Sequence, residues 1–250
     1  MSTLAACLVT LATCLPSATE SKKADAAKKP EPIRVLVVTG VDWGGHRWKE
    51  TGPAFRKVLE QDKRFDVRLV EDPDFLASPA VQNYDVICIH FKNYKPVAQP
   101  QKVHENLVNA VKSGKGLVLL HFACGAFEDW PEFADLAGRV WDRKISPPHD
   151  PHGPYTVEIT DKNHPITRGM KDFDAYDELY ICLKGDRPID VLATARSKVT
   201  GKDYPMAFAF QYGKGRVFHT PLGHDVRAIE MPGVADLLRR ATLWTAGKQP

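Results

Sequence analysis

Residues 116–125 read Gly-Leu-Val-Leu-Leu-His-Phe-Ala-Cys-Gly, and this stretch decides the fold. Leu117 to Leu120, with Phe122, form an apolar run suited to a strand buried on both faces. Such a strand belongs in the middle of a parallel sheet covered by helices. The run closes in a small-residue turn, Ala123-Cys124-Gly125, with His121 just inside its C-terminal end. In open α/β sheets the ligand crevice lies beyond the C-terminal ends of the strands. The stretch therefore supplies a core element and two candidate chemical groups, His121 and Cys124.

Upstream, residues 33–39 form a strand that opens into Gly40-Val41-Asp42-Trp43-Gly44-Gly45-His46. These glycines do not make the G-x-G-x-x-G fingerprint, so no nucleotide cofactor is expected. A helix is predicted over 49–61, strands over 65–70 and 85–90, a short helical turn near 78–82, and a helix over 101–113 that stops at Gly114. This alternation predicts a doubly wound, mostly parallel α/β sheet. After residue 125 the texture changes. A short helix near 130–138 and a Pro-rich loop over 146–154 lead into a β-rich insertion, with strands over 155–159, 173–180 and 191–195. Strands over 206–210 and 216–220, joined by a turn at Lys214-Gly215, and a helix over 233–245 close the chain as a hairpin plus helix.

Composition narrows the function. Of 250 residues, 43% are apolar, enough for one large domain, and the formal charge of +3 gives no nucleic-acid footprint. No apolar run reaches the length of a membrane span. Residues 4–16 are an Ala- and Leu-rich run followed by Ser17-Ala18-Thr19-Glu20, which reads as a secretory signal over 1–20. A secreted or periplasmic location follows. Leu11-Ala12-Thr13-Cys14 offers a lipoprotein-like alternative, with Thr13 a poor fit. Residues 21–32, rich in Lys, Ala and Pro, read as a disordered spacer. Cys88, Cys124 and Cys182 lack the spacing of a disulfide framework or a zinc ribbon.

The placement of the nine histidines carries more information than their number. His46 follows the first strand, His90 and His121 end strands, and His224 follows the last. In a parallel sheet all four face one edge, and Asp177-Glu178 can join them from the insertion. Three histidines and a carboxylate suit a zinc-like metal or acid–base work near neutral pH. Cys124 is the rival centre, a thiol in a strand-to-helix turn resembling a nucleophile elbow. His149 and His152 are spaced to chelate but sit in a loop that reads as solvent-facing. Trp43, Trp48, Trp130 and Trp141 lie near the expected mouth and could stack on a sugar ring.

Five motifs in order resemble the ThuA-like (trehalose utilisation) family. They are Gly45-His46; Leu119-Leu120-His121 with Trp130-Pro131-Glu132-Phe133; His164-Pro165-Ile166 to Gly169; Asp177-Glu178-Leu179-Tyr180; and Tyr212 to Phe218 with Leu222-Gly223-His224-Asp225. The likeness covers residues 33–247. It implies a flavodoxin-like, class I glutamine amidotransferase-like fold and a role linked to sugar metabolism. His46, His121, Glu178 and His224 match the family's recurrent polar positions. The family pattern requires no cysteine at 124, and His149 lies near a position where members often carry a histidine.

The reading that results is a protein acting on a sugar or keto-sugar by acid–base or metal-assisted chemistry, with a small carbohydrate as its ligand. His121 or His224 serves as base, Glu178 as orienter or ligand, and His46 as electrophile or ligand. Two alternatives stand beside it: an amidotransferase-like thiol hydrolase using Cys124, and a non-catalytic carbohydrate-binding module.

Overall fold

In the computed structural model the first half of the chain runs β1 (Ile33–Val38), α1 (Trp48–Glu60), β2 (Phe65–Val70), β3 (Val86–Ile89), α2 (Pro100–Ser113), β4 (Gly116–Leu120) and α3 (Phe133–Ala137). The second half runs β5 (Val140–Trp141), β6 (Gly153–Ile159), β7 (Phe173–Asp177), β8 (Leu183–Lys184), β9 (Asp190–Arg196), β10 (Asp203–Tyr212), β11 (Gly215–Thr220), α4 (Val226–Glu230) and α5 (Pro232–Thr245). The structure describes residues 1, 3, 31–42 and 44–250. The signal and nearly all of the spacer expected over 1–32 lie outside them, as does Trp43. Residues Glu31–Pro250 form one unit.

Nine strands make one sheet in the order β2-β1-β3-β4-β11-β10-β9-β6-β7. β2, β1, β3, β4 and β11 are parallel neighbours, whereas β10, β9, β6 and β7 pair antiparallel. β5 and β8 form a separate two-stranded ribbon that the sequence pattern does not reveal. The insertion thus extends the parallel core sideways and adds no second layer.

Because successive side chains point to opposite faces, each central strand feeds two cores. Val35, Val37, Val118 and Leu120 pack with Phe55 and Leu59 of α1 and with Leu237, Leu238 and Ala241 of α5. Leu36, Val38, Leu117 and Leu119 pack on the other side with Val103, Leu107 and Val111 of α2 and with Phe127 and Phe133. The continuous apolar run of β4 is explained by this double burial.

Two local readings need correction. The expected strand through Phe122 ends at Leu120, because His121 adopts φ +49° and the chain turns into a 3-10 segment over His121–Gly125. The tight turn is Gly213-Lys214, since Tyr212 pairs directly with Gly215 and Gly213 takes φ +60°. Gly215 matters instead through close approach: a Cβ there would meet the Val111 carbonyl oxygen at 2.2 Å and that of Lys115 at 2.4 Å.

Gly215→Ala should therefore lower stability by about 1–3 kcal/mol, as overpacking does. Gly153→Ala, whose Cβ meets nothing nearer than 3.7 Å, should stay within about 0.5 kcal/mol. Urea unfolding of the two variants measures the contrast.

Candidate active site

Four side chains converge beyond the C-terminal edge of the parallel strands. One ligand-type atom from each of His46, His121, Glu178 and His224 lies within 4.8 Å of every other. Glu178 is the hub. Its Oε2 is 3.2 Å from His224 Nδ1, 3.7 Å from His121 Nε2 and 3.9 Å from His46 Nε2. The second oxygen, Oε1, is 3.8 Å from His149 Nε2.

Different elements deliver each group. His46 comes from the loop between β1 and α1, and its Nδ1 is 2.6 Å from Asp42 Oδ2. The His46 ring stacks on Phe122. His121 follows β4 in the left-handed region, which a side chain enters only when its surroundings compensate. Here its Nδ1 lies 2.5 Å from the Pro221 carbonyl and its Nε2 2.8 Å from the Tyr180 hydroxyl. A carbonyl only accepts, so Nδ1 carries the proton and Nε2 accepts from Tyr180. Glu178 directly follows β7 and His224 follows β11.

The fully buried carboxylate of Asp177 ties these last two together. Its Oδ2 accepts from the Gly223 amide at 2.6 Å, and its Oδ1 from the amides of Glu178 at 2.8 Å and His224 at 3.2 Å. Burial pushes the Asp177 carboxyl up to about 7, against the pull of those amides.

The electrostatics divide sharply. Burial opposes charge on His46, yet hydrogen bonds and the charges of Asp42 and Glu178 raise it to about 9. Burial would also raise the Glu178 carboxyl, but hydrogen bonds from His224 and His46 hold it well below the usual carboxylate range. His121 is driven well below its ordinary value by burial and by the neighbouring charge of His46, so it is neutral.

Other expected residues fall elsewhere. His90 is buried behind Phe122, with Nδ1 3.0 Å from Thr39 Oγ1, and stands outside the cluster. Burial pushes it down to about 3. His149 and His152 do not chelate as a pair. His149 faces Glu178, while His152 is 3.6 Å from Asp225 Oδ2, with its ring 4.8 Å from that of His224. Cys124 is buried, and burial raises its thiol well above the ordinary value. The strained elbow position is held by His121 and not by Cys124. Among the tryptophans, Trp141 lines the cavity beside the cluster, and Trp130 stacks on His104.

That cavity has a volume of about 270 Å³, and Glu178, His46, His149, Tyr180, Phe122 and Trp141 are among its walls. Sequence reasoning missed Asp42 and Tyr180 as site residues. Both stand within the quoted motifs, but nothing in their spacing shows that they hold histidines.

Fold and site together define an amidotransferase-like α/β protein whose crevice carries histidines and a glutamate in place of an accessible thiol. Against known proteins, the family model described as ThuA, trehalose utilisation, matches residues 34–245, and the chain belongs to that family. The family supports a carbohydrate-related role. No curated protein matches the sequence. Among solved structures, a ThuA-like protein from Parabacteroides merdae superposes with TM-score 0.78 at 27% identity, covering 88% of this chain and 92% of that one. A ThuA-like protein from Bacteroides uniformis gives 0.69 at 20% identity, covering 92% and 97%. A glutamine amidotransferase from Thermotoga maritima gives 0.50 at 15% identity, covering 77% and 76%, which shows shared fold alone. No helix among the described residues is long and apolar enough to cross a membrane.

Asp177→Ala removes the acceptor of three amides, one buried and two part-buried, and should cost on the order of 3 kcal/mol. Chemical denaturation checks the loss. A second test concerns His219, which is buried with Nδ1 3.0 Å from the Ala137 carbonyl and is pushed down to about 4 by burial. Its ordinary value is 6.5, so the unfolded chain binds the extra proton first and stability falls as pH drops from about 6.5 towards 4. A variant lacking the imidazole, His219→Asn, should show a shallower fall over that window in urea titrations.

Proposed function

We propose that the protein acts on a carbohydrate in this cavity, on a sugar or keto-sugar such as a 3-keto-glycoside. In this reading His46, His121, Glu178 and His224 hold a divalent metal such as zinc. The observation that carries the proposal is the preparation of the donors. Asp42 faces Nδ1 of His46 and the Pro221 carbonyl faces Nδ1 of His121, which leaves His46 Nε2 facing Glu178 and puts His121 Nε2, held by the Tyr180 hydroxyl, 3.7 Å from the same carboxylate. Acceptors of this kind behind the far nitrogen are the usual support of metal-binding imidazoles. Three imidazoles and a carboxylate are also a donor set that zinc accepts.

A bound divalent ion would polarise the sugar's carbonyl oxygen. The chain's own groups do the rest. Trp141 gives the cavity an apolar ring against which a pyranose can rest. A carbonyl acidifies the adjacent C–H, so one positioned base suffices for enolisation, isomerisation or β-elimination. In the metal-free form of the reading, His224 takes that proton and Glu178, 3.2 Å away, orients it. His121, sealed by Tyr180 and Pro221, serves as a fixed wall of the site. The secretory signal read from the sequence over 1–20 supports a location outside the cytoplasm for this chemistry.

Elemental analysis of the purified protein tests the metal, with about one divalent ion per chain expected. His46→Ala and His224→Ala should lose it. Turnover of a keto-sugar should fall by about 10²-fold or more in His224→Ala. Unchanged turnover in both His121→Ala and His224→Ala would sink the proposal, and saturable sugar binding with neither metal nor turnover would favour the binding-module reading. Iodoacetamide should leave activity intact, because Cys124 is buried.

A further inference from the structure

The cavity also carries cationic groups. Lys92, Arg143 and Tyr94 line it together with Trp141. Lys92 is placed there by several independent contacts. Its backbone amide donates to the Val41 carbonyl at 3.1 Å. The next residue, Asn93, is buried and accepts from the Phe127 amide at 2.7 Å, which fixes the segment after β3. The aliphatic stem runs over Gly125, where a Cβ would come within 2.8 Å of Lys92 Cδ and 3.1 Å of its Nζ. Gly125 has no positive φ to require glycine. Its absent side chain leaves room for the lysine.

The ammonium that arrives is incompletely answered. Its side chain is 15% exposed, and its ion-pair partner is Glu128, at a long 3.9 Å. Glu128 also pairs, more closely, with Arg143 through its other oxygen. One carboxylate therefore serves two cations. Glu128 stands outside the cavity lining, where Glu178 is the carboxylate, already engaged by the histidines. The Lys92 ammonium also lies over the Trp141 ring, 5.0 Å from its centre, and over that of Tyr94 at 5.6 Å. A cation carried into a small, half-enclosed cavity with hydrogen-bonding capacity to spare is suited to receive a ligand's negative charge.

We infer that the cavity takes a sugar bearing an anionic group, a carboxylate or a phosphate, and that Lys92, flanked by Arg143, receives that group. The anion sits against the cationic wall, and the remainder of the ring faces His46, His149 and Glu178. A volume of about 270 Å³ limits the ligand to roughly one ring with its substituent. The inference rests on the sugar-binding reading above but not on the metal or the reaction.

Calorimetric titration of the full chain with glucuronate, glucose 6-phosphate and glucose tests it. At least one anionic sugar should bind about tenfold more tightly than glucose, the scale of a charge-assisted hydrogen bond, and this preference should shrink in high salt. Glucuronate ahead of glucose 6-phosphate identifies a carboxylate, and the reverse a phosphate. Lys92→Met keeps the stem over Gly125 and removes the charge. It should abolish most of the preference while leaving glucose affinity within about twofold. Arg143→Gln, at an exposed position, provides a second variant expected to weaken the preference in the same direction. Equal binding of all three sugars by the unmodified protein would overturn this inference and leave the sugar-binding reading standing. Equal losses for glucose and the anions in Lys92→Met would also overturn it, showing a packing role. Absence of binding by any sugar would overturn both.

Discussion

A single buried carboxylate holds the site in register. Asp177 ends β7 at the far edge of the sheet, and it accepts the amides of Gly223 and His224 from the loop after β11, near the sheet's middle. The β10–β11 ladder already joins the antiparallel extension to the parallel core, and Asp177 adds a second tie, from the far edge strand directly to the loop that carries His224. Its third bond, from the Glu178 amide, fixes the backbone that aims the neighbouring carboxylate. One side chain therefore positions two of the four convergent groups. The cost is a carboxylate removed from water, and charge-assisted bonds from three amides offset it.

A second constraint acts at β4. The chain has to leave the sheet abruptly for His121 to face the crevice, and φ +49° achieves this at a cost of order 1 kcal/mol or more. Pro221 and Tyr180 hold the ring from opposite nitrogens. Pro221 belongs to the same loop that Asp177 anchors, and Tyr180 lies two residues after Glu178. The strained histidine is thus supported by the segments that bring its partners. Displacing any one of them would disturb the rest, so single substitutions here are expected to act non-additively.

The parallel core was legible because its physics is local. Residues 33–38 and 116–120 are largely apolar runs of strand length and 65–70 alternates apolar with charged, and helices with a 3.6-residue stripe stand between them. His46, His121 and His224 were legible because they stand at strand ends in that pattern. Glu178 was within reach once the insertion was read as strands. The pairing of β9 with β6 and β10, and the β5–β8 ribbon, depend on long-range register, which two-residue and half-exposed segments hardly specify. The rival reading of Cys124 as a nucleophile elbow turns on a related point. Cys124 has the chemistry of a nucleophile, but Phe122, Ala123 and Cys124 are folded inward by the 3-10 turn. No spacing in the sequence distinguishes a turn that begins at 121 from one that begins at 124. Lys92 was invisible because its role depends on the missing side chain at Gly125, a contact across 33 positions of chain.

The charge balance around Glu178 limits what the site can hold. Three imidazoles surround one carboxylate, and Asp42 stands behind one of them. His121 has no room for a proton, because Tyr180 already donates to its Nε2 and burial disfavours the charge. His46 is the imidazole best able to take one, having a carboxylate on each side. A proton on its Nε2 and a metal at the cluster would compete for the same lone pair, so divalent binding there has to release that proton. Tyr180 would likewise have to give up its hydrogen bond before His121 Nε2 could act as a ligand. The structure shows the four donors with Tyr180 closed on His121, and a divalent ion, were one bound, would require neutral imidazoles in place of the imidazolium–carboxylate pair. Both arrangements keep Glu178 ionised at the centre. The Asp42 carboxylate and Pro221 carbonyl behind the histidine rings would support either arrangement, because both act on the far nitrogens and not on those facing Glu178.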